Sequence, residues 1–478
     1  MTASRASTLI VLLAVALLAP LLAQTPTPPR RDVSQLYAEL CASCHGANLA
    51  GGGLAPSLLD DEWKFGGDDA SIAKSIRDGQ PAAGMPPMAA ALTEEQIRAL
   101  VIFIREEATK FQRDQTVFAK PAADTLVRSE KQTFRLDTVV QGLEVVWGID
   151  FLPDGRILLT EKPGRLRIVE KGRLLETPVA GIPAVWSEGQ GGLLDVAVHP
   201  EYASNGWIYL AYSDPGADGT AMTAVVRGRL KENQFVDQQT LFQAPAELYR
   251  KGNVHFGSRF VFDNGYVFFS IGERGHQTDA QDLSRPNGKV HRIHDDGRVP
   301  DDNPFVGKTG ALPTIWSYGH RNPQGLAKQP GTNALYDAEH GPRGGDELNL
   351  VQKGRNYGWP IITYGMNYDG TPMTDKTAQE GLEQPVTYWV PSIAISSIAF
   401  YTGDRFPEWQ GHLFVGALAQ QELRRLVLTD GKVTHQEVLF KGIGRVRDVV
   451  NGPDGLLYVT FDSGRVARLT PATAPGTR

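Results

Sequence analysis

Gly148-Ile149-Asp150-Phe151-Leu152-Pro153-Asp154-Gly155-Arg156-Ile157-Leu158-Leu159 reads as a strand, a tight turn at Pro153-Asp154-Gly155, and a second strand. Apolar β-branched residues bounded by Pro, Asp and Gly are the signature of such a hairpin. The unit recurs. Asp195-Val196-Ala197-Val198-His199-Pro200 is followed by Trp207-Ile208-Tyr209-Leu210, and looser copies occupy Arg259 to Ile271, Gln324 to Glu339, Ser397 to Gly416 and Asp448 to Thr460. Six units with starts roughly 50 to 75 residues apart predict a mainly β fold, a six-bladed β-propeller over residues 133–470. A pair of β-sandwiches or a jelly roll is the alternative that strand content leaves open. A propeller gathers loops at one face but names no activity by itself.

Upstream of the repeats the pattern changes to a period of 3.6. Val33, Leu36, Tyr37 and Leu40 recur at i, i+3, i+4, i+7, and a second helix begins at Thr93 with Gln96 completing a capping box. That helix carries Ile97, Leu100, Val101 and Ile104 on one face. Between the two helices lies Cys41-Ala42-Ser43-Cys44-His45, which uses both cysteines of the 478-residue chain. Two thiols two residues apart can add to the vinyl groups of one haem, and the following histidine can ligate its iron. A redox disulfide would not need the histidine, and zinc would need further ligands of suitable spacing. Haem c is therefore expected on Cys41 and Cys44, with His45 on the iron.

The sixth iron ligand is expected from Ala83-Gly84-Met85-Pro86-Pro87, a rigid loop that can present a thioether. Met85 is the candidate, with Met88 close enough to compete. The loop resembles the Met-Pro loop of class I cytochromes c, which implies a small all-α cytochrome c domain at residues 32–107.

Arg5, the apolar run Leu9 to Leu18, and Ala23 read as a signal peptide over residues 1–23 that directs the chain to a bacterial periplasm. An uncleaved anchor stays open, although Pro20 interrupts the run and no membrane span is expected in the mature chain. Residues 24–31 form a Pro-rich spacer. Polar residues between Glu106 and Gln132 give a linker at 108–132, and 471–478 a tail. With 48 basic against 54 acidic residues, a net charge of −6, and no basic run, nucleic acid is set aside as a partner.

The propeller loops carry further motifs: Gln190-Gly191-Gly192-Leu193-Leu194, Gly252-Asn253-Val254-His255-Phe256-Gly257-Ser258-Arg259, Ile271-Gly272-Glu273-Arg274-Gly275, Gly319-His320-Arg321-Asn322-Pro323, Glu339-His340-Gly341-Pro342-Arg343-Gly344-Gly345-Asp346-Glu347, Asn356-Tyr357-Gly358-Trp359-Pro360 and Arg445-Val446-Arg447-Asp448. In this order they resemble the soluble quinoprotein glucose dehydrogenase and aldose sugar dehydrogenase family, which uses pyrroloquinoline quinone (PQQ).

The resemblance implies a division of labour. His255 is the catalytic base and Glu273 orients it, a glutamate where the family has aspartate. Gln190, Arg321, Asn322, His340, Asp346, Ser392, Arg445 and Arg447 are expected around PQQ, whose three carboxylates call for cations and amide donors. Successive carbonyls of Gly341 and Pro342 would hold a calcium ion beside the cofactor, and Glu347 with Tyr357 a second calcium. Ala419 stands where glucose dehydrogenases place a lysine, so Arg424 or Arg425 is expected to offset cofactor charge. His340 replaces a glutamine of some relatives.

Loops Asn303 to Gly310 and Tyr364 to Gly381, with Trp359 and Tyr368, would shape an open polar entrance. They imply oxidation of several aldoses at C1 to the lactone, electrons passing to the haem and then to a downstream periplasmic acceptor. A homodimer is compatible with this reading. The contrasting reading is an electron-carrier cytochrome fused to a cofactor-free propeller used for binding.

Overall fold

The computed structural model describes residues 31–52, 55–60, 62–122 and 125–472. The expected signal peptide, most of the spacer and residues 473–478 of the tail lie outside them.

Every blade begins with one of the hairpins read from sequence. The opening strand pairs are Val146–Phe151 with Ile157–Glu161, Leu193–Val198 with Trp207–Pro215, Phe260–Asp263 with Tyr266–Ile271, Pro323–Lys328 with Leu335–Glu339, Ile395–Phe400 with Leu413–Ala417, and Val446–Asn451 with Leu457–Phe461. Five sheets have four strands. The sixth has five, because Thr133–Val140 pairs with the C-terminal strand Val466–Pro471 and Val127–Arg128 pairs with Thr133–Val140. This is a six-bladed propeller whose ring is closed by joining the first and last strands of the propeller segment.

First strands of neighbouring blades pack side by side around the channel. Arg259 fastens them: its Nη1 lies 2.7 Å from Asp195 and 2.8 Å from Asp448, and its guanidinium covers the Trp147 ring at 4.5 Å. Farther out, blades meet through apolar layers. Trp409 is wholly buried, stacked on Phe406 at 4.3 Å and edge-on to Phe134 at 5.7 Å. Each large side chain buried in this way contributes about 1.5–3 kcal/mol.

The topology decides where chemistry can sit. In an antiparallel pair, the start of the first strand and the end of the second lie at the same end. Gln190, His255, Arg321 and Ser392 precede first strands, while Glu273 and His340 follow second strands, so all six meet at one mouth of the channel.

Helices fill the N-terminal region: α1 (Val33–Leu40), α2 (Ala42–His45), α3 (Asp69–Asp78) and α4 (Glu94–Gln115). Asp32 caps α1 through the N–H groups of Ser34 and Gln35, at 2.8 and 3.0 Å. The capping box of α4 is formed, with Gln96 N–H donating to Thr93 Oγ1 and Thr93 N–H to Gln96 Oε1. No helix among the described residues is long and apolar enough to cross a membrane.

α4 has two buried faces. Ile97, Leu100, Val101 and Ile104 pack into the helical core with Leu36 and Tyr37. On another face, Arg98, Ile102, Arg105 and Glu106 meet or brace the contact with blade four. Met366, from the propeller, is 1% exposed because it is buried in the helical core. Arg98 donates to the Tyr364 carbonyl at 3.0 Å, Glu106 takes a two-pronged contact from Arg343, and Val33 N–H donates to the Gly370 carbonyl at 3.0 Å.

Described residues of the segment expected as a linker are held at several points. α4 continues to Gln115, Ala119 accepts from Lys441 N–H, and Glu130 takes a contact from Arg425 at 2.9 Å. A polar composition was compatible with either free chain or a strap, because charges are satisfied equally by water and by edge strands.

Candidate functional site

His255 is held at the mouth through both its backbone and its ring. Its backbone has φ +55°, and its N–H donates to Gln190 Oε1 at 2.8 Å. Nδ1 contacts Glu273 Oε1, and both side chains are buried. A carboxylate at Nδ1 keeps the ring proton on that nitrogen, which leaves Nε2 as the acceptor. Burial, with the nearby Arg321 charge, holds the imidazole below its ordinary pKa even though Glu273 works the other way. The balance favours the neutral ring.

Neighbouring loops are interlocked with this pair. Asn322 Oδ1 accepts from Gly257 N–H at 3.1 Å, and Glu273 N–H donates to the Arg321 carbonyl at 2.9 Å. Gly272 is required here: a Cβ would lie 2.4 Å from the His255 carbonyl oxygen. Arg274, also buried, donates to the Gly252 carbonyl at 2.8 Å and stacks over Phe256, clamping the histidine loop from behind.

Arg321 reaches across the mouth, donating to the His340 carbonyl at 3.0 Å and lying over the Trp359 ring at 5.2 Å. Three buried nitrogens here have no hydrogen-bond partner among the described residues: Arg321 Nε, His340 Nε2 and Trp359 Nε1. Buried polar atoms are nearly always satisfied, so orphan donors gathered beside the mouth mark a place for an acceptor-rich ligand. The flat, tricarboxylate PQQ fits this donor set.

Gly341 and Pro342 follow directly. Gly341 N–H donates to Asp346 Oδ1 at 3.0 Å, and Ser392 Oγ donates to the same carboxylate at 2.8 Å. Asp346 is thus the foot of the loop. Burial pushes its carboxyl up to about 6 against those hydrogen bonds. A Cβ on Gly341 would stand 2.1 Å from the Gly345 carbonyl oxygen, so the turn tolerates no side chain there. No described donor reaches the Gly341 or Pro342 carbonyls, the condition for their serving a cation.

On the far side of the mouth, Arg447 makes a fork with Asp462 at 2.8 and 3.0 Å and donates to Gln324 at 3.0 Å. Arg445 shares Asp462 and is 47% exposed, so it sits at the rim. Arg424 and Arg425 do not offset cofactor charge. Both belong to the third strand of blade five, where Glu422, Glu437 and Glu130 engage them. Lys162 is the cation that the motifs missed. It follows the second strand of blade one, Ile157–Glu161, at the same end of the channel, and its Nζ donates to the Ser187 carbonyl at 3.4 Å. Nothing in Glu161-Lys162-Pro163-Gly164 distinguishes it from an ordinary turn lysine.

Glu347 and Tyr357 line a cavity with Glu339. Glu347 lies directly across the sheet from Glu339, and withdrawal from water plus that neighbour raises its carboxyl well above the usual range. The Tyr357 hydroxyl is committed to the Leu350 carbonyl and Gln352 N–H, so only its main chain remains for a cation. Beneath them His320 lies 3.0 Å from Asp337. Burial alone would lower this imidazole, but Asp337 and Glu339 outweigh it and raise it to about 9.

In the helical domain Cys41, Cys44 and His45 share one turn and are all half-buried. His45 Nδ1 lies 3.3 Å from the Pro56 carbonyl, the arrangement that directs Nε2 toward a metal. The Met85 backbone is fixed by paired bonds with Gln80, at 2.8 and 3.2 Å. Met85 and Met88 both pack on the helical core, so both stay available as the sixth ligand. This cradle fits a haem.

A propeller whose loops gather a base, its carboxylate partner and unsatisfied donors, joined to a domain with a haem-attachment turn, has the build of a redox enzyme. The chain belongs to the glucose/sorbosone dehydrogenase family, whose profile matches residues 143–469, and it is an oxidoreductase. The cbb3-type cytochrome c oxidase subunit III profile matches residues 28–104. The aldose sugar dehydrogenase YliI of Escherichia coli (strain K12) is 45% identical over 348 residues, 71% of this chain and 93% of its own length. The apo-form crystal structure of the soluble aldose sugar dehydrogenase from Escherichia coli has a TM-score of 0.67 at 43% identity, covering 71% of this chain and all of the other. The PQQ-bound aldose sugar dehydrogenase of Streptomyces coelicolor gives 0.59 at 27% identity, covering 73% and 99%.

Proposed function

We propose that this chain is a periplasmic quinohaemoprotein that oxidises aldoses at the C1 hydroxyl to the lactone and passes the electrons to its own haem. One observation carries the reading: the buried His255 ring, paired through Nδ1 with Glu273, stands beside the orphan donors of Arg321, His340 and Trp359.

When bound, PQQ would supply an electrophilic carbonyl, polarised by calcium, that accepts hydride from the sugar, and the haem would take the electrons onward singly. The chain's own residues do the rest. Arg321, Arg447 and Lys162 offer cations to carboxylates, and His340 and Trp359 add neutral donors. Gln190 and Asn322 fix the backbone of the histidine loop. The carbonyls of Gly341 and Pro342 would hold calcium, with Asp346 and Ser392 supporting them from below. His255 Nε2 takes the C1 hydroxyl proton while Glu273 holds the ring's tautomer and steadies the imidazolium that forms. Glu347 is the stronger member of the second calcium pair, since a cation would relieve its opposition to Glu339.

The test is to load purified full-length protein, with haem attached, with PQQ and calcium, and to offer a panel of aldoses. Haem absorption should shift to the reduced spectrum with at least one sugar. No reduction with any of them, at full haem and PQQ loading, would overturn the reading.

A further inference from the structure

The helical domain does more at blade four than rest against it. The loop Gly341 to Asp346 is held on one side by the propeller, through Gly341 N–H to Asp346 and Gly345 N–H to the Trp389 carbonyl at 2.8 Å. Its middle is held by Met366, which exchanges both backbone bonds with Arg343, at 3.0 and 2.9 Å. Met366 is in turn buried in the helical core, and the Arg343 guanidinium is clasped by Glu106 at 2.7 to 3.1 Å. Ile102 lies beside Gly344, 3.5 Å from where a Cβ would stand. Both residues of the Arg343–Met366 pair are therefore anchored by α4, and Arg343 is the next residue after Pro342.

From this we infer that Glu106 is a positioning residue for the propeller's calcium loop: by fixing Arg343 it sets the Gly341 and Pro342 carbonyls, so that the cytochrome domain helps to hold the metal of the domain it serves. Glu106 is 5% exposed. A carboxylate so far from water is costly unless paired, and its two-pronged pairing with arginine restricts direction as well as distance. A charge on α4 that merely solubilised the helix would face solvent. The claim about the carbonyls rests on the calcium reading of that loop, whereas the claim about the loop's rigidity does not.

The experiment compares full-length, haem-loaded wild type with Glu106→Gln and, as a rescue, Glu106→Asp. Amide exchange of Arg343 and Gly345 is followed first, without PQQ or calcium. Glu106→Gln should speed exchange at both positions, with Glu106→Asp between it and wild type. Calcium is then titrated in the presence of PQQ, reading PQQ absorption rather than turnover. Loss of a residue that orients a metal's ligands typically weakens binding about ten- to a hundredfold, and a shift of that size is expected for Glu106→Gln. Arg343→Lys keeps the charge but not the fork, and should fall between wild type and Glu106→Gln in both measurements. Unchanged exchange together with superimposable calcium curves would overturn the inference. If wild type takes up no PQQ at any calcium concentration, the functional reading fails, and the exchange data alone decide whether Glu106 stiffens the loop.

Discussion

The two redox sites of this chain are built on opposite plans. At the propeller mouth the proposed base is fixed by protein: His255 and Glu273 are 9% and 1% exposed, and Gln190, Asn322 and Arg274 pin the surrounding backbone. In the helical domain Cys41, Cys44, His45 and Met85 are all half-buried on short turns, and their order comes chiefly from backbone bonds. Precise placement is needed where protons move, because a base must meet its proton within a hydrogen bond's reach. On the proposed reading, a covalently held haem would bring its own rigidity and apolar surface, so the protein would need to supply only attachment and ligands.

The largest effect that can break this comparison is removal of the attachment. Cys41→Ser with Cys44→Ser should abolish covalent haem, seen as loss of haem colour on a denaturing gel. Reduction of a soluble dye by sugar should survive at raised calcium, since the base and cofactor donors belong to the propeller. Complete loss of dye reduction at any calcium concentration would mean that the propeller does not hold its own chemistry.

His255→Ala comes next. Removing a general base costs about 10² to 10⁴ in rate, and kcat should drop by that factor with haem content unchanged. Glu273→Gln leaves the imidazole in place but offers Nδ1 an amide in exchange for a carboxylate. Loss of tautomer control should cost kcat more than KM, by about 10². An unaltered kcat would demote Glu273 to packing.

A pH profile gives the smallest effect. The base works in its neutral form, and the folded imidazole is held below its ordinary pKa, so kcat/KM should stay flat through neutrality. It should fall only as pH drops below about 6.5, the usual histidine value. With Glu273→Gln the carboxylate that raises the imidazole is gone, so the acid limb should move to lower pH. A limb that moved upward would contradict the assigned tautomer.

Much of this architecture was legible in the chain because its signals are local. Each blade announces itself through its first hairpin, and the Thr93 capping box and the Cys41 to His45 turn need only neighbours in sequence. What was hidden depends on long-range contact. α3 carries just two buried apolar residues, Ile72 and Ile76, too few to declare a stripe. The second face of α4 reads as solvated because Arg98, Arg105 and Glu106 are charged, and contacts distant in sequence, among them Asp69, Tyr364 and Arg343, explain them. Lys162 and the error over Arg424 and Arg425 have one cause. Which strand of a blade a cation occupies decides whether it faces the channel, and a motif does not reveal that.

α4 is seated on the loop that carries Gly341 and Pro342, and on the proposed function sugar electrons leave through the haem of the same molecule. Stopped-flow mixing of an aldose with PQQ- and calcium-loaded protein, read at the haem band over a range of protein concentrations, tests it most directly. Haem reduction should be first-order, with a rate that does not change on dilution. A rate proportional to protein concentration would show that the haem is reduced by a neighbouring molecule.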